Sequence, residues 1–144
     1  MLLGEYEYKV DNKGRLPLPT KFRQEFSNGL VLTRGPEPCI FVYTQEEFNK
    51  LANTLSSDQI VAKSKMRKLN RSIFGSAFDL SMDGQGRIAI PHSLRESAKI
   101  GDAAVIVGAG KWIELWNPDL WKKERTEAEE QAFQIIETLE GGQK

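Results

Sequence analysis

The chain has 144 residues, enough for one compact domain or two very small ones, and its 40% hydrophobic and 28% charged residues exclude the disordered and membrane classes. Twenty basic residues balance twenty acidic ones, which argues against a uniformly basic nucleic-acid binder. The single Cys39 rules out an internal disulfide, and with His92 the only histidine a Cys/His zinc site lacks ligands, so neither metal nor cofactor is expected.

Residues 5–10 alternate polar with aromatic or branched side chains, the pattern of a half-buried strand. Asp11 suits the start of a type I turn and Gly14 its positive-φ position. Leu16 and Leu18 then resume the alternation, so 5–18 reads as a hairpin with Lys13 and Arg15 near its tip. Phe22 and Phe26 are spaced as on a short helix over 20–27, which Asn28-Gly29 stops. Leu30–Thr33 and Ile40–Tyr43 form a strand pair across a Gly/Pro loop. Thr44 and Glu47 make a capping box for a helix carrying Phe48, Leu51 and Leu55, and Ser56 with Gln59 offers a cap for a second helix over 58–74. Ala62, Met66, Leu69 and Ile73 share one face of that second helix.

After Gly75 the same order returns: a strand over 77–82, a turn, a strand over 87–90, a short helix over 92–98, and a strand pair at 103–107 and 111–116. Asn117-Pro118 caps a last helix with Trp121, Ala128, Ala132, Ile135 and Leu139 along it, fraying at Gly141-Gly142. The resemblance between halves is literal. Adding 72 to each number carries Asp11 onto Asp83, Gly14 onto Gly86, Arg15 onto Arg87, Pro19 onto Pro91 and Arg23 onto Arg95. After a one-residue slip, Tyr43 and Phe48 lie over Trp116 and Trp121. A unit of ~45 residues could hardly bury a core alone, so the copies should share one.

The Asp-x-x-Gly-Arg turn has a purely structural reading: Asp and Gly are what the loop demands, and Arg pairs with Asp to stiffen it. Duplication favours function, because two related turns with Arg15, Arg87 and Lys13 make a two-point contact. The planar arginine fork suits phosphate and guanine edges. Charge is also unevenly spread. Residues 61–87 carry an excess of four positive charges and 112–144 an excess of four negative ones. Lys63, Lys65, Lys68 and Arg71 are candidate phosphate contacts, although a basic helix face is usually just solvated.

Catalytic motifs fail one by one. Gly108-Ala109-Gly110-Lys111 resembles the end of a phosphate loop, but Trp112 stands where Ser or Thr must hold magnesium. Asp11–Gly14 lacks the oxygen ligands of a calcium loop, and nothing local supports a Cys39–His92 nucleophilic pair. A non-enzyme is expected. No apolar run is long enough to span a membrane, and the N-terminus lacks a signal peptide's character, so a cytoplasmic protein is expected.

The doubled Asp-x-x-Gly-Arg-hydrophobic-x-hydrophobic-Pro pattern, the connector Arg67–Arg71 leading to Phe74–Ala77, and Ile113-Glu114-Leu115-Trp116 together resemble the MraZ family of bacterial transcriptional regulators. The resemblance implies an α+β fold in which duplicated SpoVT/AbrB-like units build a pseudo-two-fold swapped-hairpin, double-psi-like barrel with flanking helices. The units would be 5–47 and 76–119, with a helical connector at 48–75 and a C-terminal helix at 120–144. It further implies a nucleoid-associated, ring-shaped homo-oligomer, typically an octamer. Such a ring would bind double-stranded DNA at direct repeats upstream of the division and cell-wall gene cluster that includes its own gene. Carried over by position, Asp11, Arg15, Asp83 and Arg87 are the DNA-binding residues, with Lys13 added on charge and position. The competing reading is an oligomeric protein-interaction module without DNA binding, which the neutral net charge and the apolar helix stripes favour.

Overall fold

The computed structural model describes residues 1–55 and 63–141; the expected cap at Ser56 and Gln59, Ala62 and Gly142 lie outside them. The fold is α+β. Its strands are β1 (Glu5–Lys9), β2 (Arg15–Pro17), β3 (Leu30–Arg34), β4 (Ile40–Thr44), β5 (Phe78–Leu80), β6 (Arg87–Ala89), β7 (Ala103–Gly108) and β8 (Trp112–Trp116). The α-helices are α1 (Gln45–Leu55), α2 (Lys63–Ile73), α3 (His92–Ser97) and α4 (Pro118–Gly141).

Six strands form one antiparallel sheet in the order β1-β7-β8-β4-β3-β5, and β2 pairs with β6 in a separate ladder. The described ladders do not close into a barrel. They are exchanged between the two copies. β1 of the first copy pairs with β7 of the second, Tyr6 opposite Ile106, while β5 of the second pairs with β3 of the first, Leu30 opposite Leu80. β4 meets its own counterpart β8, and β2 meets β6 with Leu16 opposite Ile88.

This exchange corrects the expected hairpin over 5–18. The turn closes, with the Asp11 N–H donating to the Arg15 carbonyl at 3.0 Å, but β1 and β2 then leave for different partners. Alternation reports which face of a strand is buried and is silent about its neighbour. Exchanging partners lets both copies bury their apolar faces in one core, which neither could build alone. Leu16, Leu18, Phe22, Phe26, Leu30 and Leu32 of the first copy pack in one cluster with Ile88, Ile90, Leu94, Ile100, Ile106 and Ile113 of the second. Each such side chain contributes about 1.5–3 kcal/mol on burial.

Local chemistry accounts for the element ends. The Thr44 hydroxyl accepts the Glu47 N–H at 3.1 Å, and the Asn117 Oδ1 accepts the N–H groups of Asp119 at 2.8 Å and Leu120 at 3.1 Å, so both expected caps form. The stretch after Pro19 is a 3-10 turn at Thr20–Phe22 rather than a full helix, yet Phe22 and Phe26 are both buried. Two ring pairs repeat the duplication in three dimensions: Tyr43 with Phe48 at 5.8 Å and Trp116 with Trp121 at 5.5 Å. α4 runs beyond this anchorage and has no fully buried side chain; Ile135 and Leu139, expected along it, are exposed.

Candidate nucleic-acid interface

The two Asp-x-x-Gly-Arg turns have the same internal bonding. In the first, the Asp11 carbonyl accepts the Gly14 N–H at 3.0 Å; its Oδ1 takes the N–H groups of Lys13 at 3.0 Å and Arg15 at 2.8 Å, and its Oδ2 takes the Arg15 Nε–H at 2.6 Å. In the second, Asp83 holds Gly86 at 3.0 Å, Gln85 at 2.9 Å, the Arg87 N–H at 3.0 Å and its Nε–H at 2.8 Å. Gly14 and Gly86 adopt φ of 76° and 75°, the left-handed backbone that the turn requires and that L side chains resist.

The Arg–Asp pair expected of a structural turn is therefore present in both copies. It occupies Nε of each guanidinium, with Arg87 Nη1 also 4.0 Å from the Asp11 carboxylate, and both side chains stay partly accessible, Arg15 31% and Arg87 26% exposed. Both carboxylates are held below their ordinary value of 3.8. The Arg15 and Arg87 backbone N–H groups are the largest causes; desolvation opposes them, and the guanidiniums and the Lys13 and Gln85 N–H groups add to the lowering.

The turns lie side by side across the pseudo-two-fold. The Leu18 N–H donates to the Gly86 carbonyl at 3.0 Å, and the Ile90 N–H to the Gly14 carbonyl at 2.9 Å, so each return strand is bonded to the other copy's turn. Asp11, Lys13, Arg15, Asp83 and Arg87 are thus brought onto one paired structure. Lys13 is exposed, and Gln85 takes its place in the second turn, so the two tips differ in charge. Lys63, Lys65, Lys68 and Arg71 are on another element, α2, which is tied to β3 where the Thr33 hydroxyl donates to the Ile73 carbonyl at 2.7 Å.

Two residues absent from the expected site join it. A Cβ on Gly14 would stand 2.8 Å from the Arg95 Cζ, and one on Gly86 would stand 2.5 Å from the Arg23 Cζ, so each guanidinium lies against the opposite copy's turn. With Arg15, Arg87 and Lys13 they give the paired turns an excess of three positive charges over Asp11 and Asp83. The 72-residue register already placed Arg23 on Arg95 and was the signal that could have found them.

The Cys39–His92 pairing is not made. Cys39 is 1% exposed and burial pushes its thiol well up, whereas His92 is exposed, with its Nε2 3.1 Å from Glu96. A protonated, buried thiol is a poor nucleophile.

The fold and the paired turns define a class: a tandem-repeat α+β protein that presents two pseudo-symmetric, arginine-bearing loops from one shared core. The chain belongs to the MraZ family, whose sequence model for the MraZ protein matches residues 1–71 and 73–140. It is similar to the transcriptional regulator MraZ of Dehalococcoides mccartyi, 45% identical over 142 residues covering 98% of this chain and 99% of that one. The transcriptional regulators MraZ of Roseiflexus castenholzii (44% identical, 85% of each chain) and Ligilactobacillus salivarius (40%, 96% of each) are similar as well. Among the described residues no helix is long and apolar enough to cross a membrane.

Proposed function

We propose that this protein is a transcriptional regulator that binds double-stranded DNA sequence-specifically through its paired turns, at direct repeats upstream of the division and cell-wall gene cluster that includes its own gene. The observation that carries this reading is the reciprocal bonding of the two turns, which fixes Arg15 and Arg87 on one structure while both side chains stay partly accessible. Arginine held at Nε by a carboxylate keeps two terminal nitrogens in a fixed plane, the geometry that reads guanine O6 and N7 or grips a phosphate. Lys13 adds a contact at the first tip. Lys63, Lys65, Lys68 and Arg71, on α2, serve as sequence-independent phosphate contacts. The repeats 5–47 and 76–119 each supply one turn; the pairing of β1 with β7 and of β5 with β3 supports a swapped-hairpin origin for them.

The protein acts as a homo-oligomeric ring, an octamer as the family resemblance implies, in the cytoplasm at the nucleoid. A neutral protomer with few cationic contacts binds weakly, and copies presented together to repeated boxes gain effective concentration. The exposed Phe133, Ile136 and Leu139 of α4, an apolar face that none of the described residues covers, support contact with a second copy.

The test is fluorescence-anisotropy binding of the wild type to a duplex from upstream of its own gene, with repeats intact or scrambled, at two salt concentrations. Repeat-dependent, salt-sensitive binding is expected. Binding to neither duplex by folded, assembled protein would replace this reading with the protein-interaction module.

A further inference from the structure

Each turn is braced by an arginine from the other copy. Arg95, on α3 of the second copy, lays its guanidinium against the Gly14 α-carbon, with Cζ, Nε and Nη2 at 2.8, 2.9 and 3.1 Å from where a Cβ would stand. Arg23, at the end of the 3-10 turn of the first copy, does the same to Gly86, with its Cδ 2.7 Å from the corresponding point. Gly14 and Gly86 immediately precede Arg15 and Arg87, so each bracing guanidinium lies one residue before an arginine of the paired turns.

No carboxylate among the described residues competes for either brace. Neither Arg23 nor Arg95 forms an ion pair among the described residues, and the Arg95 Nε is fully buried with no hydrogen-bond partner. Arg23 differs in one respect, since its Nε donates to the Leu18 carbonyl at 3.1 Å and anchors the stem on its own return strand. A buried guanidinium N–H without a partner is disfavoured, and what holds Arg95 in place is its flat packing on the glycine. That packing needs a residue without a Cβ on one side and a planar group on the other, and both copies supply them.

We propose that Arg95 and Arg23 are positioning residues acting across the duplication: Arg95 aims Arg15, and Arg23 aims Arg87. This rests on the DNA-binding reading and adds a crossed dependence to it. Recognition by the first turn depends on a residue of the second copy, and the reverse.

The experiment measures anisotropy of the full chain on repeat-containing and scrambled duplexes across a salt series, for Arg95→Gln, Arg15→Ala, Arg87→Ala and the double variants. Arg95→Gln should weaken binding to the repeat duplex by about tenfold and to the scrambled duplex by much less, with the slope of log K against log salt unchanged. Added to Arg15→Ala it should cost nothing further; added to Arg87→Ala the losses should multiply. Arg23→Gln should show the mirror pattern, and either variant suffices if the other fails to fold. Multiplying losses with the supposed target arginine would overturn the proposal. So would a slope lower by about one, which marks a direct phosphate contact. If the wild type distinguishes neither duplex, the DNA reading fails separately, and amide NMR shifts still decide the brace. Arg95→Gln must then move residues 11–15 and spare 83–87, and the opposite result would sink it.

Discussion

The Asp11 Oδ2 in the first turn lies 4.0 Å from the Arg87 Nη1 in the second, while also taking the Arg15 Nε–H at 2.6 Å. One carboxylate therefore faces both arginines. Asp83 has its ion pair with Arg87 alone among the described residues. The pseudo-symmetry of the backbone is thus broken at the charges. Asp11→Asn is expected to weaken binding to the repeat duplex more than Asp83→Asn does, because it loosens both guanidiniums. Equal losses in anisotropy titrations would show that the cross-turn contact is idle.

The lowered pKa values of Asp11 and Asp83 set the sign of an acid effect. A carboxylate depressed in the folded state contributes stability above its unfolded value, and that contribution disappears as pH falls through the folded one. Both groups start from 3.8 and are pulled down mainly by backbone N–H donors within their own turns. The turns should therefore be intact and their charge constant between about pH 5 and 8, and open only below the ordinary carboxylate range. Carboxylate NMR titration should place both midpoints under 3.8. Midpoints above it would mean that the carboxylates do not hold the turns in solution.

Removing the arginines tests the contact itself. Arg15→Ala and Arg87→Ala should each reduce affinity for the intact repeats by roughly 10- to 100-fold, the range for a lost bidentate base contact. Circular dichroism should show an unaltered fold. A change under twofold in both would contradict their role.

Gly14→Ala and its counterpart Gly86→Ala should each destabilise the protein by about 1–2 kcal/mol from backbone conformation alone, before the displaced arginine is counted. Gly84 is the internal control. A Cβ there meets nothing within 4 Å, and Gly84→Ala should stay within about 0.5 kcal/mol of the wild type in urea unfolding.

Phe26 is completely buried in the cluster common to both copies. Phe26→Ala should cost about 3–5 kcal/mol, and unfolding should remain a single transition because the copies share that core. Two separated transitions would mean that the halves fold independently.

The apolar end of α4 has a separate consequence. Charging it with Phe133→Glu and Ile136→Glu should reduce the proposed self-assembly, read by sedimentation velocity, without lowering the cooperativity of unfolding, since both side chains are exposed. An unchanged sedimentation coefficient would place the self-contact elsewhere.

Much of this protein could be read directly. The duplication, the turn chemistry of Asp11 and Gly14, the caps at Thr44 and Asn117, and the correspondence of Tyr43 with Trp116 and of Phe48 with Trp121 are local or register properties, set by side chains at fixed spacings along the chain. Partner choice was not legible. That β1 crosses to β7 while β2 joins β6, and that Arg95 reaches Gly14, depends on how two incomplete units share one core. Alternation marks a face to bury, and only the folded chain decides what buries it, because long-range pairing is chosen by the total apolar surface removed from water rather than by any neighbouring residue.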